Sequence, residues 1–224
     1  MFIQKLNVGY LNACCYVVAG KDSSDAMIID PGADAEIIIS FLRDKHLTPV
    51  MIVLTHGHGD HIGANADLKK AFPDIPICIH EKDLEMLPYP AKNLSILSAF
   101  YGSPTVRSPL ADRVLKDKDT IGIGGYIFEV IHTPGHTPGG ICLYTGSRGG
   151  GKFPVVFTGD SLFRGGVGRT DFPGCNQEEL IRAIKERLFV LDDETVVYPG
   201  HGTPTTIGEE KKYNPFVSEV NLYD

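Results

Sequence analysis

The sequence has no stretch approaching the ~18 consecutive apolar residues that cross a bilayer as a helix. Its apolar piece Ala13–Ala19 is short, has only Lys5 before it and lacks a small-residue cleavage site, so it reads as a strand rather than a leader. Cysteine is scarce: there are five, Cys14 and Cys15 are adjacent, and no pair has C-x-x-C spacing. That excludes a disulfide framework and fits reduced, buried thiols in the cytoplasm. Positive charge is short as well, with 21 Lys and Arg against 28 Asp and Glu and a net charge of −7. A general basic footprint for nucleic acid or an acidic membrane is therefore not expected. The 42% hydrophobic and 22% charged shares are those of a globular protein. The 224 residues suffice for one well-buried domain, and no linker interrupts them, so a single domain over 1–224 is expected.

The first third alternates strand and helix signals. Phe2–Val8, Ala13–Ala19 and Ala26–Asp30 read as strands, and Pro31-Gly32 turns the chain. Asp34 is placed to cap a helix with Ile37, Ile38, Phe41 and Leu42 on one face. Val50–Leu54 is a continuous apolar run, as in a strand covered on both faces. A helix to Phe72 and a strand at Ile75–His80 are expected next. Residues 81–110 show no period and carry four prolines, which reads as a long loop with helical pieces, a common place for binding. The second half gives strands at Arg113–Leu115, Tyr126–His132, Gly140–Thr145, Pro154–Thr158 and Val196–Tyr198, with a hairpin at Gly149-Gly150-Gly151. Asn176 with Glu179 forms a capping-box pattern opening a helix with Leu180, Ile181, Ile184 and Leu188 on its apolar face.

The polar string His56-Gly-His58-Gly-Asp60-His61 breaks in directly after a buried strand. Residues two apart in an extended chain point the same way, so His56 and His58 are placed to grip one ion, while Asp60 and His61 open the following helix and face a second. Imidazoles and carboxylates are the usual zinc donors outside all-cysteine sites, and Gly57 and Gly59 leave the backbone free to turn between them. Three further positions share the pattern of a strand end, a glycine turn and a ligand-type residue: His136 in His-Thr-Pro-Gly-His, Asp160 in Thr-Gly-Asp, and His201 in Tyr-Pro-Gly-His-Gly. Each of these is weak alone; a lone turn histidine or strand-end aspartate is usually structural.

In combination and order, from Asp30 to His201, these residues resemble the metallo-β-lactamase superfamily, and within it the short glyoxalase II-like hydrolases. The resemblance implies a four-layer αββα sandwich, an α/β (α+β) fold with its metal site at the edge of two sheets. It implies one metal held by His56, His58 and His136, a second by Asp60, His61 and His201, and Asp160 bridging both. Two divalent ions follow as cofactors, with zinc expected and iron or manganese accepted by the same donors. Asp30 takes a supporting place, accepting an N–H from a ligand histidine and fixing its tautomer. His132 is read as a packed or turn residue rather than a third ion's ligand, His46 as a helix C-terminal residue, and His80, in His80-Glu-Lys-Asp83, equally as a residue facing the cleft or as a helix N-terminal residue.

The implied chemistry is hydrolysis of an acyl thioester, of the hydroxyacylglutathione kind, by a metal-bridging hydroxide, with Asp60 and Asp160 as the catalytic carboxylates. A thiolate leaves without strong acid help. Phe163-Arg-Gly-Gly-Val-Gly-Arg169-Thr-Asp171 is similar both to these hydrolases and to persulfide dioxygenases. Arg169 is read first as ordering its loop by pairing with Asp171, and second as meeting a substrate carboxylate. Two alternatives stand beside the thioesterase: a mononuclear iron dioxygenase of glutathione persulfide using His56, His136 and Asp160, and a lactonase on the same two-metal site. Many true β-lactamases place cysteine where Asp160 stands, flavo-diiron relatives place glutamate at His58, and RNA-processing relatives usually add an insert, so these fit less well. Full-length glyoxalase II enzymes hold glutathione partly through a C-terminal helical extension, whereas only residues 202–224 follow His201 here. A small-molecule acyl thioester is the expected partner, with no nucleic acid and no membrane.

Overall fold

The computed structural model describes residues 1–99, 104–146 and 154–218; the expected hairpin at Gly149–Gly151 lies outside them. Two compact units account for the chain: residues 1–115 with 122–126, and residues 116–121 with 127–224.

The first unit holds β1 (Phe2–Val8), β2 (Ala13–Ala19), β3 (Asp25–Ile29), helix α1 (Ala35–Asp44), β4 (Thr48–Val53), α2 (Gly59–Ile62), α3 (Asn65–Ala71), β5 (Ile77–His80), a 3₁₀ turn at Glu81–Met86, α4 (Ser95–Ala99) and β6 (Arg113–Leu115). Its six strands lie in the sheet in sequence order. The first three are antiparallel, and β3 to β6 run parallel. Strand β2 is buried along its whole length, which is why Cys14 and Cys15 read as core residues. Helix α1 packs through Ile38 and Leu42 into a core with Ile28, Ile52, Leu54 and Leu68. Ile37 departs from the expected face: it is 53% exposed, because it lies about 100° round the helix from Ile38. Asp34 stands at the N-cap position but with φ 54, and its carboxylate accepts from Gly9 N at 2.8 Å instead of capping the helix. The single helix expected up to Phe72 is two short ones, α2 and α3, broken at Gly63-Ala64.

The second sheet contains β7 (Thr120–Ile123), β8 (Tyr126–His132), β9 (Ile141–Thr145), β10 (Val155–Gly159), β13 (Val196–Pro199) and β14 (Thr205–Thr206), in the order β14-β13-β10-β9-β8-β7. A hairpin of β11 (Leu162–Phe163) and β12 (Gly166–Val167) precedes helix α5 (Gln177–Ala183), which continues as a π turn over Ile184–Leu188. Asn176 caps α5 as expected, its Oδ1 accepting from Glu179 N at 3.0 Å. Leu180, Ile184 and Leu188 bury against Cys142, Val156 and Val197. Helix α6 (Ile207–Tyr213), capped by Thr206, was not legible in the mixed-charge tail. The mixed α/β class with two large sheets is as read from the sequence.

Parallel pairing is what positions the chemistry. Strands paired in parallel end at the same sheet edge, so their following turns are neighbours. The parallel pair β3/β4 sets Asp30 beside Thr55 and His56, and the parallel pair β10/β13 sets Asp160 beside His201.

Candidate metal centre

In the first unit, the chain leaving β3 enters the left-handed region at Asp30 (φ 51), whose side chain is buried. Its Oδ1 accepts from Thr55 N at 2.7 Å. Its Oδ2 accepts from Thr55 Oγ1 at 2.5 Å and from His61 Nδ1 at 3.0 Å. Because Nδ1 of His61 donates, its lone pair sits on Nε2, 3.6 Å from Asp60 Oδ2. The Thr55 hydroxyl donates to Asp30, so it accepts from His56 Nδ1 at 3.1 Å, and the lone pair of His56 is on Nε2 as well. One carboxylate thereby sets the tautomer of two histidines, one directly and one through Thr55. The His56 ring lies tilted by 51° against that of His61, with 4.2 Å between centroids, and meets His58 edge-on at 4.8 Å. All three histidines are buried, whereas the Asp60 side chain is 23% exposed.

Gly57 and Gly59 are needed for a different reason than chain reversal, since neither has positive φ. A Cβ on Gly57 would stand 2.5 Å from Met86 Cβ, and one on Gly59 2.7 Å from Ser95 Cβ, so the motif's backbone lies flat against the 81–95 segment. That segment holds the loop in return: buried Asp83 accepts from Gly57 N at 3.1 Å, and Asn93 O accepts from Gly59 N at 2.8 Å. Sequence reasoning left Asp83 aside, and only its place in His80-Glu-Lys-Asp83 marked it.

In the second unit, His136 comes from the β8–β9 connection and Asp160 and His201 from the ends of β10 and β13. Asp160 Oδ2 lies 3.5 Å from His136 Nε2 and 3.7 Å from His201 Nε2, so one carboxylate oxygen stands between two imidazoles. His136 Nδ1 donates to the carbonyl of Arg169 at 2.7 Å, which again leaves the lone pair on Nε2. Gly168, just before it, has no room for a side chain: a Cβ would fall 1.9 Å from Asp160 O and 2.9 Å from His136 Nδ1. The Arg169 guanidinium forms a bidentate pair with Asp171 (2.9 and 2.7 Å) and lies 4.4 Å over the Phe172 ring. The contribution of Arg169 to His136 is therefore made by its backbone, which no side-chain motif reveals.

The other histidines have structural contacts. His80 caps the 3₁₀ turn, Nδ1 accepting from Lys82 N at 3.3 Å; His132 bonds Pro138 O at 2.9 Å; His46 follows α1 with φ 54. The five cysteines are free thiols, and burial pushes those of Cys78 and Cys142 up to about 11.

Whether these residues suit a metal follows from their donors. His56, His61 and His136 are each held through Nδ1 and present Nε2, and the remaining donors are the imidazoles of His58 and His201 and the carboxylates of Asp60 and Asp160, a set that accepts zinc, iron or manganese. Oxygen of Asp30 and nitrogens of His56 and His61 lie within 4.8 Å of one another. The two oxygens of Asp30 also accept three hydrogen bonds, two from Thr55 and one from His61. The sequence-predicted residues thus gather in two sets, Asp30, His56, His58, Asp60 and His61 in one unit and His136, Asp160 and His201 in the other. No helix among the described residues is long and apolar enough to cross a membrane.

The pattern of the metallo-β-lactamase superfamily matches residues 9–201. The hydroxyacylglutathione hydrolase GloC of Haemophilus influenzae is 40% identical over 201 residues, covering 88% of this chain and 89% of that protein. Among solved structures, the B3 metallo-β-lactamase BLEG-1 superposes with a TM-score of 0.87 at 38% identity, covering 96% of this chain and 99% of that one. TTHA1623, solved in a di-iron-bound form, gives a TM-score of 0.81 at 37% identity over 95% and 99% of the two chains. Histidines and aspartates at strand ends, a pattern spanning 9–201 and relatives matched over most of their length lead to one statement: the chain belongs to the metallo-β-lactamase superfamily.

Proposed function

We propose that this protein is a binuclear metal hydrolase of small acyl thioesters, of the hydroxyacylglutathione kind. The observation that carries the reading is the position of Asp160 Oδ2, 3.5 Å from His136 Nε2 and 3.7 Å from His201 Nε2, as a carboxylate shared by two ions requires. The identity to GloC supports the substrate class. His56, His58 and His136 would hold one divalent ion and Asp60, His61 and His201 the other, with Asp160 between them and zinc the expected metal. Bound there, the ions would lower the pKa of a shared water toward neutrality and polarise an acyl carbonyl.

The residues do the rest. Asp30 and Thr55 keep His61 and His56 facing inward by Nε2, and the Arg169 carbonyl does the same for His136. Asp60 and Asp160 orient the attacking water, and Asp160 takes its proton at a carboxylate oxygen. The water oxygen forms the new C–O bond, the C–S bond breaks, and sulfur leaves as a thiolate that collects the proton. Arg169, tied to Asp171, orders the loop beside His136, and contact with a substrate carboxylate is its second assignment. Free thiols throughout support a cytoplasmic setting.

The test is thiol release from an acylglutathione by protein loaded with zinc, manganese or iron, with metal content measured on the same sample. Lactone, β-lactam and glutathione persulfide substrates run in parallel. Thiol release at two ions per chain is expected. Oxygen uptake with one iron per chain and no thiol release would replace the hydrolase with the dioxygenase, and turnover of the lactone or β-lactam alone would move the substrate class.

A further inference from the structure

The hairpin β11–β12 has strands of two residues each, too short to hold themselves, yet both of its ends belong to the site. Its entry is Asp160, and its exit leads through Gly168 to the Arg169 carbonyl on His136. Two buried polar residues of the last helix hold its turn. Glu210, 3% exposed, accepts from Gly165 N at 2.8 Å. Asn214, 0% exposed, donates from Nδ2 to Gly166 O at 3.0 Å and to Glu210 Oε2 at 2.8 Å. The other oxygen of Glu210 accepts from Thr205 Oγ1 at 2.7 Å, four residues beyond His201 and in a strand paired with β13. One carboxylate thus ties the hairpin after Asp160 to the strand after His201.

A carboxylate buried on three neutral donors is a poor way to gain stability, since an apolar side chain of similar volume often serves as well or better. What such a network supplies is fixed geometry. We infer that Glu210 and Asn214 are positioning residues for the metal ligands of the second unit, acting on Asp160 and His136 through the 162–167 hairpin and on His201 through Thr205. The inference rests on the two-metal reading above, and it concerns how the ligands are aimed, not which substrate is cleaved.

Cobalt(II) reports ligand geometry directly, so the test needs no substrate. Wild type, Glu210→Gln, Asn214→Ala and a control, Leu42→Ala in the core of the other unit, are reconstituted with cobalt, titrated against a competing chelator and compared in their visible d–d bands and thermal unfolding. The Glu210 and Asn214 variants are expected to hold cobalt about tenfold or more weakly, as variants of partners behind metal ligands usually do, and to shift the bands. The control is expected to lower the unfolding temperature with bands and affinity unchanged. Should Glu210→Gln fail to fold, Asn214→Ala is read alone by the same two criteria. Variants that fold and keep wild-type bands with affinity within twofold overturn the positioning role while leaving the metal reading intact. Wild type that takes up no cobalt overturns the metal reading and this role with it.

Discussion

Asp30 Oδ2 accepts both from His61 Nδ1 at 3.0 Å and from Thr55 Oγ1 at 2.5 Å, so a residue just beyond one strand sets the donor atom of a histidine 31 positions later. Asp30→Asn places an amide N–H or a weaker acceptor where two donors converge. The substitution is expected to weaken metal binding by about 10- to 100-fold, the usual cost of losing such a partner. Chelator competition on the refolded variant checks it; affinity equal to wild type would show that Asp30 is only a turn residue.

The tight glycines make a steric prediction. A Cβ at Gly168 would sit 1.9 Å from Asp160 O, which backbone must yield to, whereas at Gly122 the nearest atom, Tyr126 O, is 4.0 Å away. Gly168→Ala is expected to cost about 2 kcal/mol or more, and to reduce metal content because the clash falls between Asp160 and His136. Gly122→Ala should stay near wild type. Urea unfolding of the pair with metal analysis distinguishes them.

Much of this was legible from short-range signals. The ligand-type residues of His56-x-His58-x-Asp60-His61 announce themselves by spacing, and β2 and β10 by unbroken apolar runs. What escaped depends on partners far along the chain. Asp34 has the right residue type for a cap, but its carboxylate meets Gly9 instead. The roles of Asp83 on Gly57 and of the Arg169 carbonyl on His136 are contacts across 26 and 33 positions, one of them made by backbone that has no sequence signature. Gly57 and Gly59 were recognisable as necessary, but the reason, closeness to Met86 and Ser95, exists only after the 81–95 segment has folded over them.

Arg169 separates a structural side chain from a substrate contact. Its pair with Asp171 is about two-thirds exposed on both sides, so its loss is expected to leave stability close to that of wild type. The carbonyl that holds His136 survives in Arg169→Ala, so metal content should not change. Turnover within a few-fold of wild type is expected; a rise in KM of a hundredfold at unchanged metal content would instead assign the guanidinium to the substrate.

Alkaline stability follows from two buried thiols. Burial, the largest cause in each, raises Cys78 and Cys142 from 9.0 to about 11, Cys142 being the more deeply buried. Below pH 9 both states hold the proton and the thiols contribute fully to stability; between about pH 9 and 11 the unfolded chain ionises first and that contribution is lost. A two-unit shift corresponds to at most about 3 kcal/mol per thiol. Stability by urea titration is therefore expected to fall between pH 8.5 and 10.5, and to fall less in Cys142→Ala, which has no proton to lose. The same slope in both proteins would place the alkaline loss on groups they share, Cys15, Cys78, Tyr144 and Tyr198, whose pKa values burial also raises.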